Sequence, residues 1–301
     1  MKGNQKKDVD VDVHVHDIDM GRLALALCVV GALSAPTLVH LPLPDADGAD
    51  GHFDWQTLGV YGLHVGSGLG LPKGCLNTDV AGITLADAPA SRTSPAAPFA
   101  AVRVDALDTR LFLQHDATAP YPLANGSFEF VFAEHFIEHV PRSAAIAFLR
   151  EARRLLRSDV GGVVRLSTPD LRLYAEAYAD PKSDFFDRHL AAMTTGPMAG
   201  ANGHLTATGP AMLNDLFHGY GHADGYVYDF EEVGRVLADA GLLPPAGDCA
   251  LERAAFGDSR WIPETAKRLD DPTKAHESLY ADVVCGPARY RIPAASYIPQ
   301  P

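Results

Sequence analysis

The sequence predicts an α/β fold, a mainly parallel twisted sheet flanked by helices, and three observations carry that prediction. Short apolar runs recur from Gly62 onward and alternate with amphipathic stretches. The ends of these runs are marked by glycines or acids, at Gly66-Ser67-Gly68, Asp79, Asp116, Glu134 and Asp170. Two later stretches carry helical spacing with recognisable boundaries.

Taken in order, Gly62–Val65 reads as a first strand ending in a glycine-rich turn, and Leu76–Val80 as a second with Asp79 at its end. Residues 86–100 are rich in Ala, Pro and Ser and read as a loop. Leu111–Gln114 makes a third strand that stops at His115 and Asp116, and an Asn125-Gly126 turn leads into a fourth, Phe128–Phe132. After Pro141 a helix is clear. Ile146, Phe148, Leu149, Ala152, Leu155 and Leu156 recur at helical spacing, with Ser143 placed to cap it. Gly161-Gly162 precedes a fifth strand, Val163–Leu166. Residues 171–227 form a long insertion of mixed helical pieces with many glycines and several histidines. A second marked helix has Asp229 at its cap, Glu232 three residues on, and Gly241 at its end. Residues 250–285 supply the last strands. The organisation expected is a leader over 1–50, one domain over 51–290 and a tail over 291–301.

With 301 residues, 47% of them hydrophobic, the chain can bury one sizeable α/β core. Its net charge is −13 and no Lys/Arg run stands out, which disfavours nucleic acid as a partner because phosphate-backbone affinity needs a basic stripe. The four cysteines, Cys28, Cys75, Cys249 and Cys285, are far apart and form no CxxC pair. Neither a zinc knuckle nor a disulfide framework is indicated, and sparse cysteine fits a reducing compartment.

The leader leaves the cellular address open. Residues 1–19 are polar, and Arg22 is followed by LALALCVVGALSA, the shape of a secretory apolar region that would look more natural if translation began at Met20. The run is short and is broken by Pro36, which argues against a membrane span. Residues 21–44 therefore read either as a targeting or membrane-associating segment, as a buried helix or strand, or as a loose leader.

In open α/β sheets a ligand sits beyond the carboxyl ends of the strands, where strand order reverses. Glycines there admit close approach of a ligand to the backbone. An acid after the second strand can accept both hydroxyl hydrogens of a ribose, and one after the third can accept from an adenine amino group. A nicotinamide dinucleotide fits poorly. Leu71 stands where the third fingerprint glycine belongs, Asp79 follows Gly68 too soon, and Leu71-Pro72-Lys73-Gly74 reads as a loop rather than a helix start.

The ordered set of motifs resembles a group of class I S-adenosylmethionine-dependent methyltransferases. LHVGSG with GCLNTDV (63–80), QHDATAPYPLANGSFEFVFAEHFIEHV (114–140), FLREARRLLRSDVGGVVRLSTPDL (148–171) and HADGYVYDFEEVGRVLADAGL (222–242) are similar to that family's successive blocks. The resemblance spans about residues 60–285. It departs at Ser67, Cys75, Glu129 and Arg157-Ser158-Asp159-Val160, where Cys, Trp, Asp and Pro-Gly are usual. It implies a Rossmann-like class I methyltransferase fold with S-adenosyl-L-methionine as cofactor. By the resemblance, Gly66, Ser67 and Gly68 line the cofactor's amino-acid portion and Asp79 takes the ribose. Asp116 and Ala117 hold adenine, and Glu134 with His135 faces the sulfonium and the acceptor.

The candidate catalytic residues are His135 and Asp170. Each has a plainer reading, His135 as a buried histidine and Asp170 as a cap for a helix over 171–179. His135, Glu138 and His139 share one face of a helical turn, and His218 and His222 can add to them as metal ligands. Structural histidines are the preferred reading, with no metal ligand assigned. The acceptor is expected to be a small molecule, lipid or sugar hydroxyl or amine. The competing functions are a cofactor-binding protein without turnover and a metal-dependent enzyme using the 135–222 histidines.

Overall fold

A computed structural model of the chain describes residues 37–41, 55–68, 70–82, 84–85, 88–93, 98–105, 108–195, 205–218 and 225–287. Its centre is five parallel strands in the order β7(Asp108–Gln114), β3(Cys75–Asp79), β2(Gly62–Val65), β8(Phe130–Glu134), β9(Gly162–Pro169). Antiparallel strands extend both sides: β6(Phe99–Asp105) and then β1(Thr37–His40) beyond β7, and β11(Ser278–Cys285) and then β10(Cys249–Ala254) beyond β9. Strand order reverses between β2 and β8, and this is where a ligand crevice is expected.

The period-2 alternation of side chains explains why both faces of the sheet are covered. On β8, Val131 and Ala133 join one core cluster, while Phe130 and Phe132 join the opposite one. The first face is covered by α1(Arg142–Leu155) and α5(Phe230–Asp239), which lie side by side. Arg142 bridges to Glu232 and Asp239, and Arg150 donates to the carbonyls of Asp239 and Ala240. The second face is covered by α6(Pro263–Leu269), through Ile262 and Ala266. The insertion contributes α2(Leu171–Ala179), α3(Phe185–Met193) and α4(Gly209–Phe217), which share their own small core around Tyr174.

Several expectations need correction. The stretch read as a loop over 86–100 holds β5(Ala88–Arg92), paired with β4(Thr84–Leu85), and the start of β6. Ala and Pro content hid strands whose pairing is set by neighbours rather than by propensity. Ser143 is not the cap of α1. Pro141 occupies that place, and no side chain caps it. Between β2 and β3 the short connection over 66–74 agrees with the loop expected at Leu71 to Gly74. Nine residues reach about 30 Å when extended, and β2 is short, so no crossover helix is needed to return.

The cysteine expectation is overturned as well. Cys249 and Cys285 form a disulfide, and they face each other across the β10–β11 ladder. Thirty-six residues separate them in sequence, so their spacing gave no sign of the pairing. Thr37–His40, within the stretch assigned to the leader, forms an edge strand on β6. Residues 1–36 lie outside the described residues, as does His222. Among the described residues no helix is long and apolar enough to cross a membrane.

Candidate active site

At the carboxyl end of β2, Gly66 and Gly68 take φ of +66° and +52°, the left-handed region that a glycine adopts without strain. This turn is tied to β3. Ser67 N–H donates to the Thr78 carbonyl at 3.0 Å, and Gly68 N–H donates to Asp79 Oδ2 at 2.9 Å. Asp79 Oδ1 accepts from Ala81 N–H at 2.8 Å. Two backbone donors thus fix the Asp79 carboxylate while leaving it lone pairs for further donors.

Asp116 follows β7 and is exposed, with its Oδ1 accepting from both the N–H and the hydroxyl of Thr118. Those bonds, the hydroxyl's first, hold its carboxyl below the usual range. Ala117 beside it is buried. Glu134 ends β8 and accepts from Asp271 N–H at 2.9 Å. Burial pushes its carboxyl up to about 7. Gly66 to Ser67, Asp79, Asp116 to Ala117 and Glu134 therefore line up at the carboxyl ends of four adjacent parallel strands.

His135 has φ +48°, the one positive value outside glycine among the described residues. Both ring nitrogens are engaged, Nε2 with Ser278 Oγ at 2.6 Å and Nδ1 with Glu138 at 3.2 Å. Burial holds this imidazole well below its ordinary pKa and pushes the Glu138 carboxyl up to about 8. Asp170 is buried, and its carboxylate accepts from Arg172 N–H at 3.0 Å as the cap of α2. His139 is 3.9 Å from Glu138 on the same turn, whereas His218 is exposed at the end of α4. Glu129, an unusual residue for its motif, sits at the opposite edge of β8, where it accepts from Gln56.

The residues present fit S-adenosylmethionine. The Ser67 hydroxyl is buried without a hydrogen-bond partner, an orphan group at the glycine turn. A Cβ built on Gly68 would meet nothing within 4 Å, so the turn borders open space. A cavity of about 780 Å³ lies instead at the amino-terminal edge of β8 and β9, lined in part by Arg150, Arg153, Arg154 and Arg157. It is remote from these groups, and its arginines already hold acids or carbonyls.

Sequence reasoning passed over two polar groups on the β9–β11 side of the sheet. Arg165 on β9 is fully buried and binds both Asp270 and Asp282. Tyr174, His189 and Glu277, all buried, and half-buried His276 form a second polar group next to Ser278. The inward register of a strand would have flagged Arg165. Nothing local signals the others.

The five-stranded parallel centre, with an antiparallel strand inserted between its edge and the last strand, defines a class I Rossmann-like methyltransferase fold. The family model described as a methyltransferase domain matches residues 63–164, about a third of the chain, and spans β2 to the middle of β9. Over those residues the chain is similar to methyltransferase domains. No curated protein matches it in sequence.

Solved structures that resemble it include the O-methyltransferase of neocarzinostatin biosynthesis with S-adenosylmethionine and 2-hydroxy-5-methyl naphthoic acid. Identity is 14% and the TM-score 0.36, over 81% of this chain and 53% of that one. The chain thus spans about half the length of that enzyme. The plantazolicin methyltransferase with S-adenosylhomocysteine is similar at 11% identity and a TM-score of 0.40, over 77% and 80% of the two chains. A methyltransferase from Aquifex aeolicus is similar at 12% and 0.32, over 75% and 82%.

Proposed function

We propose that the protein transfers the methyl group of S-adenosylmethionine to a hydroxyl or amine of a small-molecule acceptor, bound beneath the 171–227 insertion. The observation that carries this reading is the alignment of Gly66 to Gly68, Asp79, Asp116 with Ala117, and Glu134 along four adjacent strand ends. Gly66, Ser67 and Gly68 bind the amino-acid portion, Asp79 the ribose hydroxyls, and Asp116 with Ala117 the adenine. The cofactor supplies a methyl carbon already activated by positive sulfur, so the chain's task is to align the acceptor, exclude water and accept a proton.

Of the residues expected at the acceptor, Glu134 suits proton transfer best, since its carboxyl titrates at about 7. His135 has Nε2 hydrogen-bonded to Ser278 and Nδ1 3.2 Å from Glu138. Asp170 positions α2, the first helix of the insertion. These engaged histidine and aspartate side chains also favour a second reading, cofactor binding without turnover.

Calorimetric titration of the purified chain with S-adenosylmethionine and S-adenosylhomocysteine tests the pocket. Micromolar binding that is lost in Asp79→Ala is the expected result. Absence of binding by the folded wild type would overturn the reading. Methyl transfer to a panel of hydroxyl and amine acceptors then separates turnover from binding alone.

A further inference from the structure

His189 lies on α3, whereas His276 and Glu277 immediately precede β11, yet their side chains meet. His189 Nδ1 is 3.0 Å from His276 Nε2 and 3.5 Å from Glu277 Oε2, and one ligating atom from each of the three falls within 4.8 Å of the others. A metal with bonds of about 2.1 Å in tetrahedral geometry spaces its ligand atoms roughly 3.4 Å apart.

The outward-facing atoms are also arranged. His189 Nε2 faces the Tyr174 hydroxyl at 3.2 Å, and that hydroxyl donates to Glu277 Oε2 at 2.5 Å. The hydroxyl's proton is spent on Glu277, so Tyr174 accepts from His189, and the inward Nδ1 carries a lone pair. His276 also hydrogen-bonds the Thr273 backbone, and in the tautomer protonated at Nδ1 its Nε2 presents a lone pair toward His189. His189 Nδ1 and His276 Nε2 lie at hydrogen-bond distance beside a carboxylate oxygen, an arrangement in which either a proton or a metal cation can lie between them.

From this geometry we infer that His189, His276 and Glu277 bind a first-row divalent transition metal ion, clamping helix α3 of the insertion to the start of β11. Two imidazoles with one carboxylate suit such a metal better than calcium or magnesium, which prefer oxygen ligands alone. Three protein ligands leave at least one coordination position open. His276 is only half-buried, which gives the ion a way in, whereas His189 and Glu277 are buried. Rigid support comes from both sides. Asp170 N–H, at the end of β9, donates to the Glu277 carbonyl at 2.8 Å, and the Phe185 ring stacks on His189 at 5.9 Å. These are not the histidines of the 135–222 stretch that the sequence brought forward, apart from His189 itself. The inference does not rest on methyl transfer.

The test is titration of the untagged, chelator-stripped full chain with ZnCl₂ alone by calorimetry, and with CoCl₂ by visible absorption. The expected result is one equivalent bound at micromolar affinity or tighter, with cobalt giving ligand-field bands. His276→Ala, at the half-buried position, should abolish both signals while circular dichroism stays native. Tyr174→Phe keeps the packing but removes the hydroxyl between the ligands, and should weaken binding by about 10–100-fold. His14→Ala/His16→Ala, which removes the two histidines of the polar leader stretch 1–19, should leave the stoichiometry unchanged. No stoichiometric binding by the folded wild type would overturn the inference. So would binding unaffected by His276→Ala, or binding lost with the two leader histidines.

Discussion

The two halves of the strand-end crevice are built on opposite principles. On the β2–β3–β7 side the functional groups are backbone turns and accessible carboxylates, with Asp79 and Asp116 each held by neighbouring N–H groups. On the β8–β9–β11 side the polar groups are buried: His135 against Glu138 and Ser278, Arg165 between two aspartates, and His189 against His276 and Glu277. The first half is cheap to fold, because its charges stay near water. The second half must satisfy every charge internally, since an unpaired buried ion costs several kcal/mol. A site made of backbone turns and accessible acids needs only correct local geometry, whereas a buried polar wall has to hold its groups in fixed places.

The largest effect should come from breaking the buried half. Arg165→Leu leaves Asp270 and Asp282 buried without their cation, and should cost about 3–5 kcal/mol. Urea unfolding measures it, and a midpoint equal to wild type would mean that this half does not depend on internal charge pairing. Asp79→Ala on the accessible half should behave in the opposite way. Its stability should change by less than about 1 kcal/mol, while S-adenosylmethionine binding weakens by about 1.5–3 kcal/mol, the worth of hydrogen bonds to a charged group. If stability falls as far as in Arg165→Leu, the contrast between the halves is lost.

A smaller effect reports on Glu134, at the border between them. Its folded pKa of about 7 lies above its unfolded value, so the protonated carboxyl is favoured by folding. Its stabilising contribution is fully present in acid, below about pH 4.5, and is lost as pH rises from there through 7. Glu134→Gln does not titrate and should gain about 1–2 kcal/mol on wild type between those limits, after allowance for its partial solvent screening. Thermal melts of both proteins at a series of pH values give the difference, and parallel curves would remove Glu134 from the buried class. The same variant should lose the acidic limb of the pH–rate profile, since a proton-accepting carboxylate is disabled when it is protonated, once an acceptor is known.

The smallest effect sharpens the role of Asp170. Asp170→Ala should lose about 1 kcal/mol through the missing cap of α2, and Asp170→Asn should restore it, because asparagine caps equally well. Methyl transfer that stays low in Asp170→Asn, despite restored stability, would mark the carboxylate itself as catalytic.

The legibility of the sequence follows the same division. Gly66, Gly68, Asp79 and Asp116 could be placed at strand ends because their signal is local: a turn residue or an acid at the end of an apolar run. The central strands β2, β3, β7, β8 and β9 were readable for the same reason, though β8 and β9 run further toward their carboxyl ends than their apolar cores indicate. The strands within 86–105 were not, because their small residues and prolines imitate a loop until β6 pairs with β1 and β7.

What the sequence determined by itself was therefore the parallel centre, the helices α1 and α5, and the glycine and acid positions at the carboxyl ends of the strands. Each depends on residues within a few positions of one another, where periodicity, turn chemistry and capping act. Only the tertiary structure decided that Cys249 meets Cys285, that Arg165 is enclosed by Asp270 and Asp282, and that His189 meets His276 across 87 residues. Those meetings follow from the order in which strands join the sheet and from where the insertion folds back upon it. The free energy that fixes them, burial of apolar faces around paired charges, belongs to the closed core and to no single segment.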